Sequence, residues 1–356
     1  MFNKYFQQEL FKLRELGKEF AEQHPAAAPM LASESVDPDV ERLLEGTAFL
    51  TGHLQHKVDD ELPEIIHGLM DIVYPHYLRP VPSLSVVRFT PKPSLMETLH
   101  VPAGTFLSSK KKEGVKCTFQ TCFDLDVLPL RVVSAKTLVQ ENTHRITVSM
   151  SLNGISLNQW NADRFSFYLA GAYAKTSNLY ACFTKYLSRI TIKSQGGSDD
   201  HILGAADFTC PGFEMDHSLF PYPSQSFSGF SLLQEYFLFP QKFLFFEISG
   251  LRNWRNRMDS GGFDLVFDFT EPPFELPVVS ADNFSLFSVP VTNSFPFEAE
   301  PVLVDHKREK TRIKPSSRTG TGYQIYSVDK VVGYVQGSVE PIEYFPMDHF
   351  AFGTSN

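Results

Sequence analysis

The chain has 356 residues, of which 42% are hydrophobic and 21% charged, and its formal net charge is −9. This composition is ordinary for a globular protein, and the negative charge argues against a nucleic-acid binder, which needs a clustered positive field. Four cysteines without a C-x-x-C motif are too few for a disulfide framework. With no secretory signal and no run of ~20 apolar residues, we expect a soluble cytoplasmic protein without direct membrane insertion.

The first predicted element is an amphipathic helix over residues 3–23. Charged side chains lie opposite an apolar stripe that recurs at helical spacing. A Pro/Ala-rich linker follows at residues 25–29. The apolar positions of this helix that we take as interface candidates are Tyr5, Leu10, Leu13 and Phe20.

A second, long helix is predicted to begin at Asp37, which suits the N-cap, with Pro38 at the first helical position. The pattern predicts that this helix ends near Leu62 and that a further helix runs from Pro63 to about Pro75. These stripes must be covered, either by one another or by the helices of a neighbouring chain, and the sequence leaves both alternatives open. The interface candidates on the long helix are Val40, Leu43, Leu44, Leu50, Leu54, Val58 and Leu62.

After residue 84 the pattern changes to short alternating runs separated by Pro, Gly and Lys turns, which predicts strands. One isolated helix is predicted at residues 174–186. The predicted fold class is therefore α+β, with N-terminal amphipathic helices followed by two β-rich domains with few helices. The expected domains are 1–80, 81–195 and 196–356, because residues 195–200 (QGGSDD) read as the best internal linker. The 33 Phe residues are interpreted mainly as core.

The sequence carries few motifs that would indicate a chemical activity. The sequence contains no G-x-S-x-G, no H-E-x-x-H and no Walker-type loop. His53 with His56, and the ligand-type residues between His201 and His217, fit no recognised zinc pattern. The acidic run at residues 59–61 is better explained as favourable charge at a helix start. The sequence therefore predicts no catalytic residue, no metal site and no cofactor.

Two tryptophans leave an alternative function open. Trp160 or Trp254 could be the stacking residue of a stand-alone β-rich binding module for carbohydrate or peptide. Trp254 is surrounded by Arg252, Arg255 and Arg257, a group that we interpret as a protein interface or plain surface. An unrecognised hydrolase is a third class, which would need a concave pocket with convergent acids or a nucleophile-base pair.

Four separated blocks resemble, in the same order, the TssF (ImpG/VasA) family of bacterial type VI secretion baseplate subunits. They are YFQQELFKLRELGKEFAEQHP (5–25), DPDVERLLEGTAFLTGHLQHKVDDELPEI with YPHYLRPVPS (37–83), LLQEYFLFPQKFLFFEISGL (232–251), and PVTNSFPFEAEPVLVDHKREK with YQIYSVDKVVGY (290–334). Members of that family normally continue well beyond this length. The second β-rich domain is therefore expected to be incomplete at its C-terminus.

The resemblance implies a structural subunit of the baseplate wedge rather than an enzyme. The implied partners are TssG, a second TssF copy, TssK, TssE, the VgrG hub and, indirectly, the TssB/TssC sheath. The implied location is the cytoplasm, at a baseplate docked on the inner membrane. The apolar stripes of the N-terminal helices then become candidates for contacts with these partners.

Overall fold

The structure is a computed structural model. It describes residues 2–26, 37–111, 114, 116–140, 143–195, 200–214, 217–222, 227–255, 257, 259–304, 311–316, 323–335, 337 and 340–345. The chain divides into two compact units, Met1–Leu78 and Arg79–Asn356, the first helical and the second rich in antiparallel strands. The predicted α+β class, with helices first and β-rich structure after them, is confirmed.

The first unit contains helix α1 (Phe2–Gln23), helix α2 (Pro38–Val73) and a single 3-10 turn (Pro75–Tyr77). Asp37 caps α2, since its Oδ1 accepts a hydrogen bond of 3.0 Å from the backbone N–H of Asp39. Pro38 occupies the first turn, where a missing N–H removes no helical hydrogen bond. The predicted start of the long helix is therefore confirmed.

The predicted end of that helix near Leu62 is wrong. Helix α2 continues through Pro63 for 36 residues, about 54 Å at 1.5 Å per residue. Proline removes one i→i−4 hydrogen bond and disfavours a helical residue before it, which together weaken a helix but do not oblige it to stop. Pro63 is exposed, so water can bond the carbonyl group that its ring leaves without a partner.

The second unit is built from antiparallel strands in several small sheets. The larger sheets have the strand orders β10-β9-β13-β7-β6, β11-β12-β8-β14 and β1-β15-β4-β3, and two ribbons pair β2 with β5 and β16 with β17. The strands are β1 (Leu84–Arg88), β2 (Leu99–Val101), β3 (Phe106–Ser108), β4 (Thr118–Thr121), β5 (Leu125–Val127), β6 (Leu130–Gln140), β7 (Thr143–Leu152), β8 (Phe165–Leu169), β9 (Leu187–Ser194), β10 (Asp200–Leu203), β11 (Phe208–Thr209), β12 (Phe245–Ile248), β13 (Gly262–Phe269), β14 (Phe284–Leu286), β15 (Ser288–Thr292), β16 (Val331–Gly333) and β17 (Ile342–Tyr344).

Strands from both sides of the predicted boundary at residue 195 share sheets, so that boundary does not separate two domains here. Strand β13 lies between β7 and β9, and β15 lies between β1 and β4. Residues 195–200, predicted as a linker, connect the antiparallel neighbours β9 and β10, in which Asp200 pairs with Lys193. Their side chains form an ion pair of 2.8 Å. The residues between 196 and 199 lie outside the described part of the chain.

A buried phenylalanine lies between two sheets of the second unit. Helix α3 (Tyr173–Ala181) ends in a π-helical turn (Cys182–Tyr186), where the sequence predicted uninterrupted α-helix. This turn carries Phe183, which is 1% exposed. Its ring centroid lies 4.8 Å from that of Phe246 on β12 and 4.9 Å from that of Phe267 on β13. Much of the phenylalanine excess is thus buried, as the sequence predicted.

Replacing Phe183 by alanine should destabilise the second unit by about 3–5 kcal/mol, because the cavity would open between two sheets that share this ring. Chemical denaturation followed by circular dichroism measures the loss. Phe345→Ala is a matched control at a ring that is 76% exposed, and it should change stability by less than about 0.5 kcal/mol. Equal effects of the two substitutions would contradict the packing role of Phe183.

Candidate protein-interaction surface

Helices α1 and α2 approach each other closely because small residues lie between them. Ala21 and Ala48 are fully buried, at 3% and 0% exposure. Gly52 is also buried, and a Cβ atom at this position would lie 3.1 Å from the backbone nitrogen of Phe6. The backbone of α1 therefore occupies the space that a side chain at residue 52 would need.

Polar contacts fix the antiparallel register of the two helices. Arg14, far along α1, forms an ion pair with Glu41, near the start of α2. Tyr5, near the start of α1, has its ring centroid 5.1 Å from that of His56. A hydrogen bond from the Tyr5 hydroxyl to the Asp59 carboxylate raises the pKa of the tyrosine. Contacts near both ends of the interface thus set the register of α1 relative to α2 and the distance between the two helices.

This contact divides the predicted interface candidates into two groups. Those left half-buried are Tyr5, Leu10, Leu13, Val40 and Leu44. Those left exposed are Phe20, Leu43, Leu50, Leu54, Val58 and Leu62. The stripe predicted on the long helix is therefore covered only in part. Val58 and Leu62 lie on the same side of α2 as Val40 and Leu44, about five turns further on, at the level where α1 begins. Which of these residues contact a partner stays a prediction.

The exposed face of α2, which we call the α2 stripe, consists of Leu43, Leu50, Leu54, Val58, Leu62, Ile65 and Leu69. Its members are between 52% (Leu62) and 72% (Leu43) exposed and recur mostly three or four residues apart. The stripe is about 39 Å long. Covering it would contribute on the order of 10 kcal/mol of apolar burial. Exposed apolar surfaces of this size are typical of interaction sites, so the α2 stripe is the candidate surface.

Sequence reasoning missed part of this stripe. Ile65 and Leu69 continue the face of Leu54 and Val58, yet neither was among the interface candidates, because the helix was expected to end near Leu62. The signal that could have placed them is the helical spacing itself, which runs unbroken across the proline.

The tryptophans do not form a ligand-binding platform. Trp160 and Trp254 are 3% and 2% exposed, and both rings pack on Phe263, with centroids 5.5 and 5.7 Å away. Arg257 donates hydrogen bonds to the backbone carbonyls of Trp160, Trp254 and Leu251 and lies against both indole rings. This loop is closed by its own arginine, so the alternative that Trp160 or Trp254 stacks on a sugar is wrong.

The groups weighed as metal ligands are engaged in other contacts. Asp207 Oδ2 accepts a 2.8 Å hydrogen bond from the backbone N–H of Gly204. His217 packs on the ring of Phe123, with centroids 4.9 Å apart. Within the described residues, no three His, Cys, Asp or Glu side chains lie close enough together to hold a metal ion.

In the part of the chain that the structure describes, no helix combines the length and the apolar character that a membrane span requires.

Comparison with known proteins identifies the family. Residues 1–355 match the model of a family described as Type VI secretion system, TssF. The chain is 29% identical to type VI secretion system component TssF1 of Pseudomonas aeruginosa PAO1, over 96% of this chain and 59% of that protein. It also matches a chain of the TssK-TssF-TssG baseplate subcomplex solved by cryo-electron microscopy, with a TM-score of 0.72 and 33% identity, over 86% of this chain and 58% of that chain.

The chain thus has a fold that is found in type VI secretion baseplates: two N-terminal helices followed by an antiparallel β-rich unit. The chain is a member of the TssF family. It spans about three-fifths of the length of these relatives.

The close approach at Gly52 generates a prediction. Gly52→Leu should force α1 away from α2, reducing the stability of the first unit by about 1–3 kcal/mol, the usual effect of overpacking. Hydrogen exchange of the α1 amides measures this loss, and protection should fall throughout the helix.

Gly46→Leu is the matched control, because a Cβ atom at Gly46 meets no other atom within 4 Å. Removing a helical glycine there should stabilise α2 by up to about 1 kcal/mol. If the Gly52 variant kept full α1 protection, the close approach of the two helices would be disproved.

Proposed function

We propose that this chain is a structural subunit of the type VI secretion baseplate wedge, without enzymatic activity. It would assemble with TssG, TssK, TssE and a second TssF copy around the VgrG hub and support polymerisation of the TssB/TssC sheath. Support comes from the family match over almost the whole chain and from the likeness to a chain of the TssK-TssF-TssG subcomplex. Its place would be the cytoplasm, at the baseplate docked on the inner membrane.

The observation that carries this proposal is the α2 stripe. The leucines of the stripe are more than half exposed on a helix of 36 residues. Leucine side chains have no group that could act as an acid, base or nucleophile, but a row of them suits packing against another helix. Subunits of obligate assemblies carry such surfaces because their interfaces resemble a protein core divided between two chains. The contribution of the chain is then positional: its contacts hold the wedge in the state that accepts the sheath.

We assign the α2 stripe to TssG. Burying one leucine side chain contributes about 1.5–3 kcal/mol, so a few residues of the stripe suffice for a tight complex. The residues proposed for this contact are the exposed members of the predicted set, Leu43, Leu50, Leu54, Val58 and Leu62, with Ile65 and Leu69 added by the structure.

Charging the middle of the stripe tests the assignment. The double variant Leu50→Asp and Leu54→Asp should abolish co-purification with a co-expressed TssG subunit, because two carboxylates would be placed in an apolar interface. Affinity should fall by at least about a hundredfold, measurable by pull-down and titration calorimetry.

The control places the same two charges on the other unit, at Val278 and Leu303, which are 89% and 90% exposed. That variant should bind TssG normally. Circular dichroism establishes that both variants are folded. A folded Leu50/Leu54 variant that still retains TssG would show that the stripe is not the docking surface. Failure of the unaltered chain to bind TssG would contradict the proposed function itself.

A further inference from the structure

Helix α4 (Ser228–Leu238) has its polar side inward and its apolar side outward. Ser231 and Glu235 are buried, at 8% and 1% exposure. On the exposed side, Leu233 is 57%, Tyr236 47% and Phe237 79% exposed. An ordinary surface helix has the opposite arrangement, with apolar residues toward the core.

A buried ion pair holds α4 in this orientation. The Glu235 carboxylate accepts a 2.7 Å hydrogen bond from the backbone N–H of Leu219 and pairs with the Lys242 ammonium group. Both charged side chains are at most 2% exposed. Turning α4 to bury Phe237 would break this pair and leave a buried charge without its partner, which is strongly unfavourable. The aromatic face is therefore fixed toward the outside.

The exposed aromatic surface extends beyond the helix. Phe227 packs on Phe230, with ring centroids 5.4 Å apart. Phe213 and Tyr236 both contact the ring of Phe243, at 4.8 and 5.7 Å. We call this surface the α4 patch, and its exposed members are Phe213, Phe227, Phe230, Leu233, Tyr236 and Phe237.

The size and chemistry of the α4 patch fit a second copy of this chain. With ~200 Å² for each aromatic side chain, its exposed area is about 650 Å², close to the ~800 Å² that each partner buries in a standard interface. Glu235 is the only charged residue in the helix and faces inward, so α4 itself brings no like charges together when two copies meet. Crossing antiparallel at Leu233, Phe230 of each copy would lie against Phe237 of the other, the self-matching contact that two-fold symmetry requires.

We propose that α4 is the contact through which two copies of this chain pair. This inference rests on the proposed function in one respect. The proposed function includes a second copy of the chain, and the inference assigns a surface to that copy. The α4 patch belongs to the second unit, whereas the α2 stripe, which is assigned to TssG, belongs to the first.

Sedimentation equilibrium of the 356-residue chain tests the pairing. The chain should be predominantly dimeric at about 50 µM, because even the weaker interfaces of standard size have dissociation constants on the order of micromolar. The double variant Leu233→Asp and Phe237→Asp should weaken the dimer at least a hundredfold while its circular dichroism stays unchanged. Leu50→Asp with Leu54→Asp is the matched control and should leave the dimer intact.

Three results would overturn the pairing: a monomeric unaltered chain, a dimer that persists in the α4 variant, or a dimer lost in the α2 control. Loss of TssG or TssK binding in a still dimeric α4 variant would assign the patch to that partner instead. These outcomes are independent of the TssG assay on the α2 stripe, so the two proposals can fail separately.

Discussion

The close contact between α1 and α2 determines which apolar side chains of the first unit remain exposed. At Gly52 the backbone of α1 lies where a side chain would otherwise project, so the helices cannot rotate freely about each other. The ion pair of Arg14 with Glu41 fixes their relative register. Leu43, Leu50 and Leu54 lie on the side of α2 opposite Gly52, and Ile65 and Leu69 lie beyond the level at which α1 begins. Exposure of the stripe therefore follows from the position and the length of α1.

The second unit also leaves an apolar surface exposed, but for a different physical reason. Aromatic rings around Phe183 fill its core. They lie between sheets whose strands come from distant parts of the chain. Helix α4 contributes little apolar burial and is held instead by the Glu235–Lys242 pair. An ion pair isolated from water resists rotation of the helix more strongly than a few apolar contacts would, because a buried charge tolerates no loss of its partner. The aromatic face is thus held away from its own core.

Local features could be read from the sequence, whereas features that depend on distant residues could not. The cap at Asp37 and the helical spacing after it are set by neighbours within a few residues, and both were predicted correctly. The split of the α2 face depends on where α1 lies, and the burial of Trp254 depends on Phe263 and on the carbonyl groups that Arg257 reaches. Similarly, the position of β13 between β7 and β9 has no local signal, so a domain boundary was predicted at residue 195 although strands from both sides of it share a sheet.

The two exposed surfaces together favour an assembling role over a catalytic one. A single apolar face can be covered by one partner, but the α2 stripe and the α4 patch belong to different units and differ in chemistry, one aliphatic and elongated, the other aromatic and compact. Two separate contacts on one chain let it link partners, and each contact raises the effective concentration at which the other forms. Modest interfaces can then build a stable assembly while each remains weak enough to rearrange, as the proposed positional role requires.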